Sequence, residues 1–139
     1  MITVVGMWEP GYTAEQTFFE DTVWKQVLAA YGVDRFIMVG PPDVQIPGIT
    51  NPEQFETMED ALATCVGQRI FLTFSDTGAV LLGSFTHPTD AVYIFGCPAD
   101  NLETYIQSGD HRVHIQTPNP VDFLACSCVN AVLYDRSLP

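Results

Sequence analysis

Short apolar runs separated by helical patterns constrain this chain more than any other feature. Residues 2–7 (ITVVGM), 35–39 (RFIMV), 70–74 (IFLTF) and 91–95 (AVYIF) are five or six residues long, rich in β-branched and aromatic side chains, and show little polar alternation. That is the pattern of strands buried on both faces. Between the first two, Thr13 suits a helix N-cap, with Glu15 and Gln16 where acidic or amide groups complement the first turn. Phe19, Val23, Val27, Ala30 and Tyr31, with Trp24 and Leu28 alongside, keep helical spacing as far as Gly32, a C-cap. The second strand ends at Gly40-Pro41-Pro42, and the stretch to Pro52 reads as loop. Thr57 precedes a second helical pattern in Met58, Leu62 and Cys65 that stops at Gly67. Residues 79–85 (AVLLGSF), split by Gly83, fit a strand, a short helix or an apolar loop. Beyond the fourth run a short helix is expected over 102–106, a short strand over 113–115 and a final helix over 121–134.

Strands alternating with helices predict an α/β fold, a mainly parallel sheet with helices on both faces. At 139 residues and 47% hydrophobic, the chain suits one core, a single domain over 1–139. In such sheets ligands bind beyond the C-terminal ends of the strands, here the loops after Met7, Val39, Phe74, Phe95 and Ile115. No apolar stretch reaches the roughly 20 residues that span a bilayer, and the chain opens on a strand-like run without a basic leader. A soluble, cytoplasmic protein is expected, with Cys65, Cys97, Cys126 and Cys128 reduced.

Five Lys and Arg stand against 17 Asp and Glu, a net charge of −12, whereas nucleic-acid binders carry a basic face. Gly6 and Gly11 lack the spacing of a dinucleotide turn or P-loop, and Glu9 alone does not make the acidic pair of a phosphoacceptor domain. Asp110, His111 and His114 suggest a metal cluster, but strand residues three apart face opposite sides, so no metal is expected. Cys126 and Cys128 lie two apart on the final helix and read as core. Cys97, in a loop at a strand end, has no matched His and Asp for nucleophilic work.

Residues 95–102, Phe95-Gly96-Cys97-Pro98-Ala99-Asp100-Asn101-Leu102, stand at a strand end and turn into a helix. They resemble the FGxExxGL motif of the SPOUT family, the SpoU/TrmD-type RNA methyltransferases. Ile115-Gln116-Thr117, a Pro-rich turn and residues 123–135 (FLACSCVNAVLYD) are similar to its IPM loop and the small-residue helix that follows. The opening order of strand, Glu-Pro loop, long helix and second strand resembles the minimal single-domain members. The resemblance implies a C-terminal trefoil knot, a homodimer and S-adenosylmethionine (AdoMet) as cofactor. It places Gly96, Cys97, Asn101, Leu102, Ile115, Gln116 and Thr117 around that cofactor, with Phe74 and Ser75 approaching its methionine side. Asn101 stands where the family has Gly, as a residue tolerant of left-handed backbone.

The chemistry departs from the family more than the scaffold does. The family's helix-one Arg aligns with Gln26, beside Lys25; its motif Glu with Pro98; the following basic position with Asp100; the Pro of IPM with Gln116; its final Ser and Asn with Asp122 and Leu124. No catalytic residue is assigned. The resemblance implies an AdoMet-dependent methyltransferase acting on RNA or on a smaller substrate, RNA being disfavoured by the charge. The alternatives are a catalytically degenerate SPOUT domain kept for binding or regulation, and a different doubly wound domain with an unrelated ligand.

Overall fold

A computed structural model describes residues 1–8, 11, 13–40, 52–96, 101–119 and 125–139. The chain runs β1 (Ile2–Met7), α1 (Ala14–Ala30), β2 (Arg35–Val39), β3 (Glu53–Phe55), α2 (Met58–Ala63), β4 (Gln68–Leu72) and β5 (Val80–Leu81). A 3-10 turn (Leu82–Ser84), β6 (Ala91–Phe95), a second 3-10 turn (Leu102–Tyr105), β7 (His111–His114) and α3 (Ala125–Ser137) follow. The strands form one sheet in the order β3-β2-β1-β6-β4-β7-β5, and each described pairing is parallel. This is a mixed α/β fold with a mostly parallel sheet flanked by helices.

Alternation along the strands divides the core in two. Val4, Met38, Ile70, Tyr93, Phe95 and Val113 face α1 and α3 and pack with Trp24, Val27, Leu28, Val129, Val132 and Leu133. Val5, Ile37, Phe71, Val92 and Ile94 face the other way, against Met58, Ala61 and Leu62 of α2 and Leu102 of the second 3-10 turn. All five residues of β6 are buried, as a strand covered on both sides requires.

Local signals act as the sequence indicates. Thr13 and Gln16 close a reciprocal capping box on α1, and Thr57 caps α2 through the Asp60 amide at 3.1 Å. Gly32 adopts φ +62° after α1, where Val33 N donates back to Leu28 O. The second helix stops at Ala63 with Thr64 as its C-cap, short of the expected Gly67; Gly67 instead leads into β4 at φ +124°, and a Cβ there would lie 2.8 Å from the Asp90 carbonyl oxygen.

Several expectations shift. Residues 53–55, left unassigned just past the stretch read as loop, form the edge strand β3; Glu53-Gln54-Phe55 is polar because it pairs on one side only, with β2. The strand expected over 70–74 begins at Gln68 and ends at Leu72. Its ladder is set by β6, and the Thr73 hydroxyl then turns onto Ser75 O at 2.9 Å. The strand expected over 113–115 is β7, His111–His114, aligned by Ile70 opposite His111. Residues 79–85 divide into β5 and a 3-10 turn, and the helix over 102–106 is a 3-10 turn. The inward stripe of α1 is Asp21, Trp24, Val27 and Leu28, while Phe18 and Phe19 are 68% and 60% exposed. The final helix is described over Ala125–Ser137, and residues 121–124 of its expected span lie outside the described residues.

The position of β7 fixes the topology. Val113 pairs with Leu72 on one side and Val80 on the other, so β7 lies between two strands joined directly by residues 73–79. That connection arches over the C-terminal end of β7, and the chain leaving His114 has to pass it to reach α3, which packs on α1. The expected trefoil knot needs this arrangement; residues 120–124 of the connection to α3 lie outside the described residues.

Gly67→Ala is expected to destabilise the chain by about 2 kcal/mol or more, combining a disfavoured φ with a backbone clash. Gly78→Ala, at φ +69° with open space around it, should cost about 1 kcal/mol. Urea unfolding of both separates clash from conformation.

Candidate functional site

Strands β6, β4 and β7 are neighbours, so their C-terminal ends leave the sheet side by side at roughly 5 Å spacings. The topology thereby brings together Thr73, Phe74 and Ser75 after β4, Gly96 after β6, and Ile115, Gln116 and Thr117 after β7. Phe74 is 53% exposed in the arch. Ser75 accepts from Thr77 N through its hydroxyl at 3.1 Å, and Thr117 donates its hydroxyl to Asn119 O at 2.7 Å. Ile115 packs on the α1–α3 core, and Gln116 is exposed. Cys97 lies outside the described residues.

Two expected site residues also have structural contacts of their own. Leu102 is buried, and a Cβ at Gly96 would stand 2.9 Å from Leu102 Cγ, so the glycine lets this leucine close the α2-side core under the strand end. Asn101 does not use a left-handed backbone: at φ −99° and ψ 107° it caps the 3-10 turn, its side-chain oxygen accepting from Glu103 N at 3.0 Å. Asn is selected there for its capping oxygen.

His114 ends β7 at the same edge, its Nδ1 3.0 Å from the Thr73 carbonyl. A carbonyl only accepts, so Nδ1 carries the proton and Nε2 keeps its lone pair. His111, three residues back, contacts Gln68 Oε1 at 2.8 Å and the ring of Phe85. The two imidazoles serve different surroundings. Among the described residues no group of three His, Cys, Asp or Glu is arranged to hold a metal ion.

The cations are committed elsewhere. Arg35 grips Glu53 bidentately and reaches Thr64 O at 2.9 Å; Arg69 donates to Leu62 O at 3.2 Å; Arg112 pairs with Glu103; Arg136 donates to Pro88 O and Thr89 O. The Arg35 hydrogen bond holds the Glu53 carboxyl below its ordinary range. Lys25 and Gln26, at the family's arginine position, are both exposed on α1.

A buried polar chain at the opposite end of the sheet escaped the sequence reading. Tyr93, fully buried in β6, meets His87 and Arg136, and His87 meets Asp135. The signal was present: a tyrosine inside the apolar run AVYIF needs a partner for its hydroxyl. The cysteines of α3 fill core as expected. Burial pushes Cys126 up to about 12, with the Glu20 carboxylate acting in the same direction, and burial raises Cys128 to about 11. Neither is a thiolate nucleophile at neutral pH. Trp24 stacks at 5.0 Å on Phe36 in the core, and Tyr134 is 57% exposed.

No protein-family model and no curated protein matches the chain. Solved structures do. The TrmH/SpoU tRNA modifying enzyme of A. aeolicus is similar at 15% identity and TM-score 0.71, over 97% of this chain and 72% of that one. A structure described with the 2-OH methylation of C/U34 on tRNA is similar at 14% identity and TM-score 0.69, over 97% and 93%. The SpoU methyltransferase AviRb of Streptomyces viridochromogenes, in complex with AdoMet, is similar at 12% identity and TM-score 0.68, over 97% and 58%. Across such structures the chain spans 55% to 93% of the matched length. The chain has the SpoU/TrmH-type SPOUT methyltransferase fold. No helix among the described residues is long and apolar enough to cross a membrane.

Thiol ionisation sets an alkaline limit. With Cys126 and Cys128 raised above their ordinary value of 9.0, the unfolded chain releases protons that the folded chain retains, so stability falls as pH rises above 9. At pH 10 the two together should cost about 3 kcal/mol. Thermal melts at pH 8 and 10 should show this loss in the wild type and a smaller one in Cys126→Ala/Cys128→Ala.

Proposed function

We propose that this chain is an AdoMet-dependent methyltransferase of the SPOUT fold, acting as a single domain over residues 1–139 within a cytoplasmic homodimer. The observation that carries this reading is the convergence of the ends of β6, β4 and β7 in a fold shared with an AdoMet-bound structure. The donor set suits the cofactor: backbone groups at three adjacent strand ends, apolar Phe74 and Ile115, and, among the described residues, no Lys or Arg at those ends to oppose a sulfonium. Phe74, Ser75, Gly96, Cys97, Asn101, Leu102, Ile115, Gln116 and Thr117 form the proposed surround, Leu102 and Asn101 by shaping the loop from beneath. The Ser75 hydroxyl, accepting from Thr77 N, retains its hydrogen to donate, and the Thr117 oxygen retains lone pairs. AdoMet, when bound, supplies an electrophilic methyl group on sulfur. The exposed rims of α1 and α3, with Phe18, Phe19 and Tyr134, provide apolar area for the dimer.

The resemblance implies RNA as methyl acceptor, but this chain has little with which to hold it. All four arginines are tied into the fold. The connections leaving the C-terminal edge contain Glu9, Asp43, Asp76, Asp100 and Asp122 and no Lys or Arg. A phosphate backbone approaching that edge meets repulsion unless another component supplies the cations. This supports a second reading, a SPOUT domain retained for binding or regulation.

Calorimetry with AdoMet and S-adenosylhomocysteine should show binding at about micromolar strength; no heat at high protein concentration would overturn the proposal. The isolated chain should show no RNA affinity tighter than about 10 μM at ~150 mM salt in anisotropy titrations.

A further inference from the structure

The buried chain around His87 has a defined proton arrangement. Arg136 NH1 donates to the Tyr93 hydroxyl oxygen at 3.1 Å, and His87 Nδ1 stands 2.6 Å from the same oxygen. A guanidinium has no lone pair, so among the described residues the tyrosine hydrogen has one destination, Nδ1. Burial pushes the Tyr93 hydroxyl up, and it keeps that hydrogen. The imidazole proton is then on Nε2, which donates to Asp135 Oδ2 at 2.9 Å. Arg136 also donates to Pro88 O at 2.6 Å and Thr89 O at 3.0 Å. The hydrogen bonds start on α3, cross β6 and the segment before it, and return to α3.

We propose that this circuit is an acid-sensitive latch that holds the last turns of α3 on the sheet only while His87 Nδ1 is bare. A proton added at Nδ1 sets an N–H against the Tyr93 O–H, while Arg136 still donates to the same oxygen. The tyrosine hydrogen is then left without an acceptor where water does not reach.

The groups around His87 set the direction. From α3, Arg136 opposes an added positive charge and Asp135 favours it; the Asp135 side chain is 25% exposed, so water screens its attraction. From β6 comes the neutral Tyr93. From β7, His111 lies across the Phe85 ring, whose centroid is 5.1 Å from His87 and 5.5 Å from His111, and it is occupied with Gln68. Asp90 is turned to the N-terminal amine at 2.7 Å.

Hydrogen exchange of α3 amides in the full chain, corrected for the intrinsic pH dependence of exchange, tests the latch. Between pH 7.5 and about 5.5, where an imidazole gains its proton, wild-type exchange in the last two turns should rise about threefold or more. Tyr93→Phe removes the hydrogen that protonation strands, and His87→Gln removes the titrating group; both should abolish the acid effect. An unchanged wild type, or a rise of equal size in either variant, overturns the proposal. Nitrogen NMR of the wild-type imidazole is a second measurement that needs no variant: the Nε2–H form is expected at pH 7.5, and an Nδ1–H form overturns it.

Discussion

The insertion of β7 between β4 and β5 is the constraint on which the rest of the molecule depends. A strand paired in parallel on both sides contributes a full ladder only if its neighbours are already side by side, and here those neighbours are joined by a seven-residue arch, 73–79. The chain beyond His114 therefore leaves the sheet next to that arch. Thr73 is fixed from two directions, its amide donating to Val113 O at 2.9 Å and its carbonyl accepting from His114. One crossing thus orders the sheet, pins the arch and sets Phe74 and Ser75 beside Ile115 and Thr117. The contacts that close it join residues about 40 positions apart, so it forms after local structure.

The charged side chains serve the same frame. Arg35 joins β2 to β3 and the end of α2; Arg69 reaches the end of α2 from β4; Arg112 ties β7 to the turn after β6; Arg136 ties α3 to the segment before β6. Arg35 and Arg136 join elements distant in sequence, Arg69 and Arg112 join successive ones, and Arg35, Arg69 and Arg136 donate to carbonyls at a helix end or in a turn. A chain with five basic side chains that commits four of them this way has almost none left for long-range attraction of a polyanion. Its charge balance and its fold are in this respect one observation.

The order of elements was legible because buried parallel strands and capped helices carry strong local signals: AVYIF, RFIMV, the Thr13 cap and the stop at Gly32. Strand ends were less so. Phe74 looks like strand by composition, but the ladder ends at Leu72 because β6 sets its register, a fact that lies in the partner strand. β3 was missed because a one-sided edge strand has no apolar pattern to show. Phe18 and Phe19 face outward because α1 turns Trp24 and Leu28 onto the sheet, and helical spacing alone does not choose between adjacent stripes. The candidate site was legible as a set of loops. Within it, the packing of Leu102 under Gly96 and the capping by Asn101 were not legible, because both depend on how the turn after β6 folds back. The His87 circuit joins residues 48 apart and leaves no spacing to read.

The two ends of the sheet differ in how completely their polar groups are used. At the N-terminal end the chain's own amine pairs with Asp90, Asp34 accepts from Ile2 N at 2.7 Å, and Arg35, His87, Tyr93, Asp135 and Arg136 are all bonded. At the C-terminal end, among the described residues, the Ser75 hydroxyl, the Thr117 oxygen and His114 Nε2 each keep bonding capacity beyond the one contact that orients them. Polar groups held in place by one bond and left with another to make are what a ligand requires, because the cost of orienting them has already been met by folding. The saturated end supplies the rigidity on which that arrangement rests. In a parallel sheet both properties follow from direction: strands enter where helices return and can be stapled, and they leave where loops diverge and a crevice opens.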